Sequence, residues 1–315
     1  MNSNPWFWLH RPAGMALALA LFANAAAPQL ARACACGCGV FEVGTPMLLS
    51  SRIGGMFSFE YDFMDQNENW SGSSSAPASD NEDQQIRTSF VTVSGQYLFT
   101  RAWGASIDVP YWNRLFRTTD ESGELASFTH GSIGDVRVRG TYTGFSPDLS
   151  TGVSAGLKLP TGDYQYANFD RDTQIGSGST DLLLGVYHVG PLTPSRIWTW
   201  YADAQYQQPF AYQGDYQPGA EGNATAGMSY TRFRPGGVAV VPMLGVIGSV
   251  RARDAGAESN PDDSGYQRVL LSPGVDSEWA GLRAMLTLNV PLYQHVNGNQ
   301  LVAPALFKLV LGRSF

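Results

Sequence analysis

Cys34, Cys36 and Cys38 stand at every second position of the run Cys-Ala-Cys-Gly-Cys-Gly. In an extended segment this spacing places the thiols on one face. Thiolates suit soft ions such as Cu(I) or zinc, yet three sulfurs within five residues fall short of a tetrahedral zinc site. Neither CxxC nor CxxCH occurs, so an attached haem is not indicated. In an oxidising compartment two of the thiols could pair, closing a strained ring and leaving the third reactive. A metal or redox role, with a periplasmic metal or redox partner to match, stands beside plainer readings: an intermolecular disulfide, a lipid anchor or no role.

A second set of groups alternates with apolar neighbours along the chain. Glu60, Asp62, Asp108, Asp135, Asp181 and Asp203 supply negative charge, and Arg137, Arg139, Lys158, Arg268, Arg283 and Lys308 supply positive charge. Charges held in an interior are unfavourable unless hydrated or paired. The change of sign between successive segments predicts cross-strand pairs such as Asp108 with Arg137 and Lys158 with Asp181. Such pore-lining charges form either an eyelet whose field orders polar solutes or the filling of a narrow tube. Catalysis has little support. His130, His188 and His295 are expected in loops or at a strand end, with no Ser in a recognisable arrangement beside them, so no enzyme is expected. The acidic loops 80–83 and 170–172 lack EF-hand spacing and read as solvated surface.

These groups need strands to position them. Strand-sized blocks, most of them alternating with period two, occupy residues 57–63, 91–99, 103–111, 136–142, 153–159, 181–189, 198–206, 224–230, 238–251, 267–275, 282–290 and 301–315. In the first of these, Phe57, Phe59, Tyr61 and Phe63 face one way and Ser58, Glu60 and Asp62 the other. The ninth, 238–251, is apolar in both registers, so its facing stays open. Twelve is an even count, and short turns alternate with long acidic loops. Bacterial outer-membrane barrels require this when both chain ends lie in the periplasm. Trp103, Tyr142, Trp198 and Trp279 fall at strand ends beside short turns, as an interface girdle does. The expected fold is all-β: a transmembrane antiparallel up-and-down β-barrel of twelve strands, with long extracellular loops and short periplasmic turns. The last stretch alternates Leu301, Ala303, Ala305, Phe307, Leu309 and Leu311 with residues that include Lys308, Gly312 and Ser314. It ends on Phe315 and resembles the membrane-insertion signal of Gram-negative barrels, whose partner is the barrel-assembly machinery.

Composition agrees with that class. The 315 residues include 20 Lys and Arg against 27 Asp and Glu, a net charge of −7, and no basic stripe, so nucleic acid is not an expected partner. The apolar run 15–27 is shorter than the about 20 residues a membrane-spanning helix needs. With Arg11 before it and Ala31-Arg32-Ala33 after it, the run reads as an export signal cleaved after Ala33. The expected organisation is a signal peptide over 1–33, a periplasmic Cys-containing segment over 34–52 and a barrel over 53–315. Its place is the outer membrane of a Gram-negative bacterium, among outer-membrane lipids and lipopolysaccharide, with the N-terminus in the periplasm.

Three short motifs carry a family likeness: Gly134-Asp135-Val136, Leu157-Lys158-Leu159-Pro160-Thr161-Gly162 and Gly176-Ser177-Gly178-Ser179-Thr180-Asp181. With them, residues 90–315 resemble outer-membrane transporters of the phenol-degradation (MetA-pathway) type. The resemblance implies a channel for passive uptake or efflux of small organic solutes. The alternative is a barrel that serves as scaffold or conduit for a soft metal such as copper, held by Cys34, Cys36 and Cys38. Residues 34–52 lie outside the shared pattern.

Overall fold

Strands form where the alternation runs, and they run further than it does. The computed structural model describes residues 38–43, 53–119, 122–233 and 238–315. The strands are β1 (Gly54–Gln66), β2 (Glu68–Gly72), β3 (Ser74–Ser75), β4 (Asp83–Leu98), β5 (Trp103–Thr119), β6 (Leu125–Ile133), β7 (Val136–Tyr142) and β8 (Thr151–Leu159). They continue as β9 (Ser179–Pro191), β10 (Trp198–Tyr212), β11 (Glu221–Tyr230), β12 (Ala239–Arg251), β13 (Tyr266–Trp279), β14 (Leu282–Val302) and β15 (Leu306–Ser314).

Among the described residues, twelve strands close an antiparallel barrel: β1, β4, β5 and then β7 to β15 in order, with β15 pairing back to β1. β6 prolongs the line of β7 along β5, since Tyr111 faces Ile133 and Asp108 faces Arg137, with Gly134 and Asp135 between. β2 and β3 form a hairpin on the far end of β14. At the seam, the Gly55 N–H donates to the Phe315 carbonyl at 3.1 Å and the Phe315 N–H donates back at 2.9 Å. The Phe315 ring stacks on Phe57 at 5.2 Å. A Cβ on Gly54, whose φ is +140°, would lie 2.6 Å from the Phe315 carbonyl oxygen, so this close approach requires glycine.

The two faces of the sheet separate by polarity. Phe57 is 62% exposed, whereas Asp62 and Met64 on the other face of β1 are 2% and 0% exposed. The outer apolar band faces lipid, and the closed ladder leaves no unpaired edge in it. The ninth predicted strand, now β12, resolves the same way: Met243 and Ile247 are buried, while Leu244, Val246 and Val250 are exposed. Trp103 opens β5 and lies 4.8 Å from Tyr142, which ends β7. Trp198 opens β10 and Trp279 ends β13, so all four aromatics sit at the short-turn end.

Two expectations are corrected. The alternation over 301–315 spans two elements, because Leu301 and Val302 end β14 and β15 begins only at Leu306. Leu301 and Ala303, expected on the apolar outer face, are each 3% exposed. They pack inward, Leu301 against Ile86, Phe116 and Phe169, and Ala303 with Leu306 and Met64. One of the long loops, the polar stretch 66–85 between the first two expected strands, also carries structure: it contains β2, β3 and a 3-10 turn, Ala78–Asp80. β5 and β14 are 17 and 21 residues long, beyond the about 9–11 that cross a bilayer. The surplus projects at the long-loop end.

Candidate functional site

The barrel interior is occupied by a piece of chain that belongs to no strand. Cys38–Glu42 forms a 3-10 turn. The residues Val40, Phe41 and Val43 are buried among Met64, Phe90, Ile247, Leu270, Ala303 and Leu306, with Trp112 packed against them. The Phe41 ring lies 5.5 Å from Phe90, and Phe90 lies 4.8 Å from Trp112. Burying one such side chain contributes about 1.5–3 kcal/mol. Residues 40–43 were expected as periplasmic chain without periodicity, and they lie inside the barrel instead.

Polar contacts hold the same turn. Glu42 Oε1 lies 2.8 Å from Arg137 Nη1 and its Oε2 accepts from Arg139 Nη2 at 2.6 Å. Arg139 also donates to Asp108. Gln205 Nε2 donates to the Glu42 carbonyl at 2.6 Å, and Lys308 Nζ donates to the Phe41 carbonyl. Lys308 Nζ also lies 3.1 Å from Glu60. Asp108 faces Arg137 in the β5–β7 register, as the sequence pairs them, but the carboxylate takes Arg139, two residues along. Arg137 is drawn to Glu42, a group outside the strands.

Two cavities lie within the barrel, and the turn borders the first. One of about 220 Å³ lies toward the short-turn end and is lined by Phe41, Glu42, Glu60, Asp108, Arg139 and Asp203 among others, with the hydroxyls of Ser58, Thr92, Ser94 and Ser106. The other, of about 100 Å³, lies toward the long loops and is lined by Trp112, Arg114, Lys158, Arg171, Asp172 and Tyr216 among others. Arg137 lines both.

The loop 160–178 folds inward over the second cavity. Phe169 packs on Ile86, Phe116 and Leu301. Gln174 brackets the loop, its Nε2 donating to the carbonyls of Tyr166 and Phe169 at 2.9 and 2.8 Å. His130 Nε2 lies 2.9 Å from Asp163 Oδ2, and the His130 ring stacks on Tyr166 at 4.1 Å. Arg114, 1% exposed, donates to Thr88 Oγ1 at 2.9 Å and to the carbonyls of Gln174 (3.1 Å) and Thr173. Arg114 was missed in the sequence; carrying the alternation of Asp108 and Trp112 one step further would have found it.

The three sequence motifs meet at the root of this loop. Asp135 accepts from the N–H groups of Gly162 (3.0 Å) and Ser177 (2.9 Å) and from Ser177 Oγ (2.5 Å). Lys158 Nζ lies 2.7 Å from Asp181, its expected partner, and donates to Ser177 Oγ at 2.6 Å. Asp135 therefore holds loop backbone, and it sits in the break between β6 and β7 rather than on a strand.

The remaining candidates are dispersed. Arg283 makes a two-pronged pair with Asp276, its Nε and Nη2 donating at 2.9 and 2.7 Å. Arg268 stacks over its neighbour Tyr266 at 3.9 Å. Asp62 is buried, and its Oδ1 has no hydrogen-bond partner. Cys34 and Cys36, like the export signal, lie outside the described residues, and of Cys38 only the backbone is described. Among the described residues no group of His, Cys, Asp and Glu is placed to hold a metal ion. One serine does accompany a histidine: Ser73 Oγ lies 2.9 Å from His295 Nδ1, exposed at the long-loop end. A Ser-His pair built for acyl transfer faces the serine with Nε2 and orients the ring through Nδ1, so this contact is the reverse of that arrangement.

A closed antiparallel barrel with an apolar outer band, an aromatic girdle and a polar interior defines an outer-membrane β-barrel protein. The family described as "Putative MetA-pathway of phenol degradation" matches residues 59–288, and the chain belongs to that family. Among solved structures it is similar to the COG4313 outer membrane channel from Pseudomonas putida F1, with a TM-score of 0.65 and 12% identity over 87% of this chain and 100% of that one. It is also similar to the β domain of the Bordetella autotransporter BrkA, with a TM-score of 0.50 and 10% identity over 84% of this chain and 100% of that one. At such identities the likeness is one of fold. No curated protein matches the chain in sequence.

Proposed function

We propose that this barrel is a passive channel for small organic solutes, closed by residues 38–43 and opened when they leave the lumen. The observation that carries the reading is a turn buried inside the lumen that contributes nothing to the sheet and borders the cavity of about 220 Å³. Its apolar residues and the Glu42 ion pairs keep the closed state dominant, and its place outside the ladder lets it move without breaking a strand pair. The family's description points to aromatic solutes, and the mixed-charge lower cavity would pass their polar groups. In this reading the short turns and the N-terminus face the periplasm, the outer band meets lipid and lipopolysaccharide, and Phe315 is the mark for the barrel-assembly machinery.

Single-channel conductance in a planar bilayer tests the proposal. The wild type should open rarely. Glu42→Gln removes charge-assisted bonds worth about 1.5–3 kcal/mol each, so its open fraction should rise by about tenfold or more. Deleting residues 34–43 should leave the pore open. Silence of the deletion variant at every voltage would mean a filled lumen and sink the reading. A second reading, binding of a soft metal such as Cu(I) by Cys34, Cys36 and Cys38, draws on one observation: Cys38 opens the 3-10 turn inside the barrel. Changing all three to Ser should abolish copper loading under that reading and leave conductance untouched under the first.

A further inference from the structure

Resting on the channel reading, we propose that the Phe41 ring occupies a subsite for a phenol, an aromatic ring carrying one hydroxyl donor. The barrel thus holds a stand-in for its solute within its own chain. Phe90 of β4 packs on that ring, and the rest of the cluster that buries Val40, Phe41 and Val43 also comes largely from strands: Met64 from β1, Ile247 from β12, Leu270 from β13 and Leu306 from β15. Phe41 comes from none, so the pocket outlasts its departure. The Phe41–Phe90 planes are inclined at 54° and the Phe90–Trp112 planes at 79°, the tilted and edge-on arrangements that aromatic rings favour. Phe41 also borders the cavity of about 220 Å³, which supplies a way in.

The hydroxyl has a separate warrant. Asp62 faces Phe90 on one side and Lys308 on the other in the strand register, and both of these touch Phe41. Asp62 is 2% exposed, and its Oδ1 is buried without a donor. An unsatisfied buried acceptor is destabilising, and the Phe41 side chain has no donor to offer. A phenol would replace ring with ring and give Asp62 Oδ1 an O–H. Benzene or toluene would supply the ring alone. A site built around a polar acceptor discriminates against the analogue that lacks the matching group.

The test uses the full-length protein in lipid nanodiscs, titrated by ¹⁹F NMR with 4-fluorophenol and with fluorobenzene, and empty nanodiscs to measure partition. Phe41→Ala removes the internal competitor and should bind 4-fluorophenol about tenfold tighter than wild type; Phe41→Leu, a milder change, should fall between. In the Phe41→Ala background, Asp62→Leu should weaken 4-fluorophenol by about tenfold and leave fluorobenzene within about twofold. Asp62→Ala gives the same comparison if the Leu variant does not fold. Unchanged 4-fluorophenol affinity in Phe41→Ala, or equal losses for both probes on changing Asp62, would overturn the subsite. Conductance of the same proteins separates the two ideas. Higher conductance in Phe41→Ala without a gain in phenol binding refutes the subsite and leaves the channel standing. Phenol binding with silence in every variant leaves the pocket and removes the channel.

Discussion

Asp172 is the residue whose protonation should set how firmly the long-loop end is covered. It lies half-buried in the 3-10 turn Arg171–Thr173 and lines the outer cavity. Burial first, and then the negative charges of Asp83, Asp170 and Asp254, hold its carboxyl well above the ordinary carboxylate range. A pKa raised by folding gives stability that is full below the unfolded value and is lost as pH rises through the folded one. The loop 160–178 should therefore be most protected in acid and loosen toward neutral pH. Asp172→Asn should flatten that dependence and keep the loop protected throughout. Amide hydrogen exchange between about pH 4 and about pH 8, corrected for intrinsic rates, measures both. A wild-type loop that becomes better protected as pH rises would contradict this account. In the sequence Asp172 reads as one of a run of solvated acids; its burial depends on Phe169 docking against Phe116, which no neighbour of Asp172 announces.

Among the elements, the loop root shows what the three family motifs do. A Cβ added to Gly176 would stand 2.3 Å from the Gly162 carbonyl carbon, so the second and third motifs cross backbone against backbone. Gly176→Ala should destabilise the inward loop by about 1–3 kcal/mol, the range for overpacking. Proteolysis at 160–178 should quicken while the wall remains folded. Unchanged proteolysis would show that the two backbones have room to part. Asp135→Ala should act in the same direction, because it strips acceptors from the Gly162 and Ser177 amides. The motifs were legible as turn-like sequence, and their strands were placed correctly. Their joint role was not, since Asp135 and Ser177 are 42 residues apart.

For the molecule as a whole, the bilayer is the solvent that sorts the outer face. Val246 lies mid-strand in β12, paired with Ala226 and Leu271, and is 44% exposed. Val246→Arg should lower the stability of the barrel in lipid by about 2–4 kcal/mol, while Leu282→Arg beside the short turn should cost about 0–1 kcal/mol. Urea titration of folding into lipid vesicles gives both numbers. Equal penalties at the two sites would mean that the band has been placed at the wrong height.

The period-two alternation, the even number of wall strands and the aromatic positions were set by the chain alone. Each is a local property: alternation fixes which side chains share a face, and a one-residue slip would turn the whole apolar set inward. Strand ends were not so set, because β14 and β5 run on beyond the bilayer, where alternation against lipid no longer applies. Tertiary structure alone decided what fills the lumen. Val40, Phe41 and Val43 carry no periodic signal, and their burial exists only once strands from both ends of the chain close around them. Lys308 and the Phe41 carbonyl it grips are 267 residues apart. A contact of that span belongs to the closed barrel, because only closure brings the last strand to the first and encloses the turn between them.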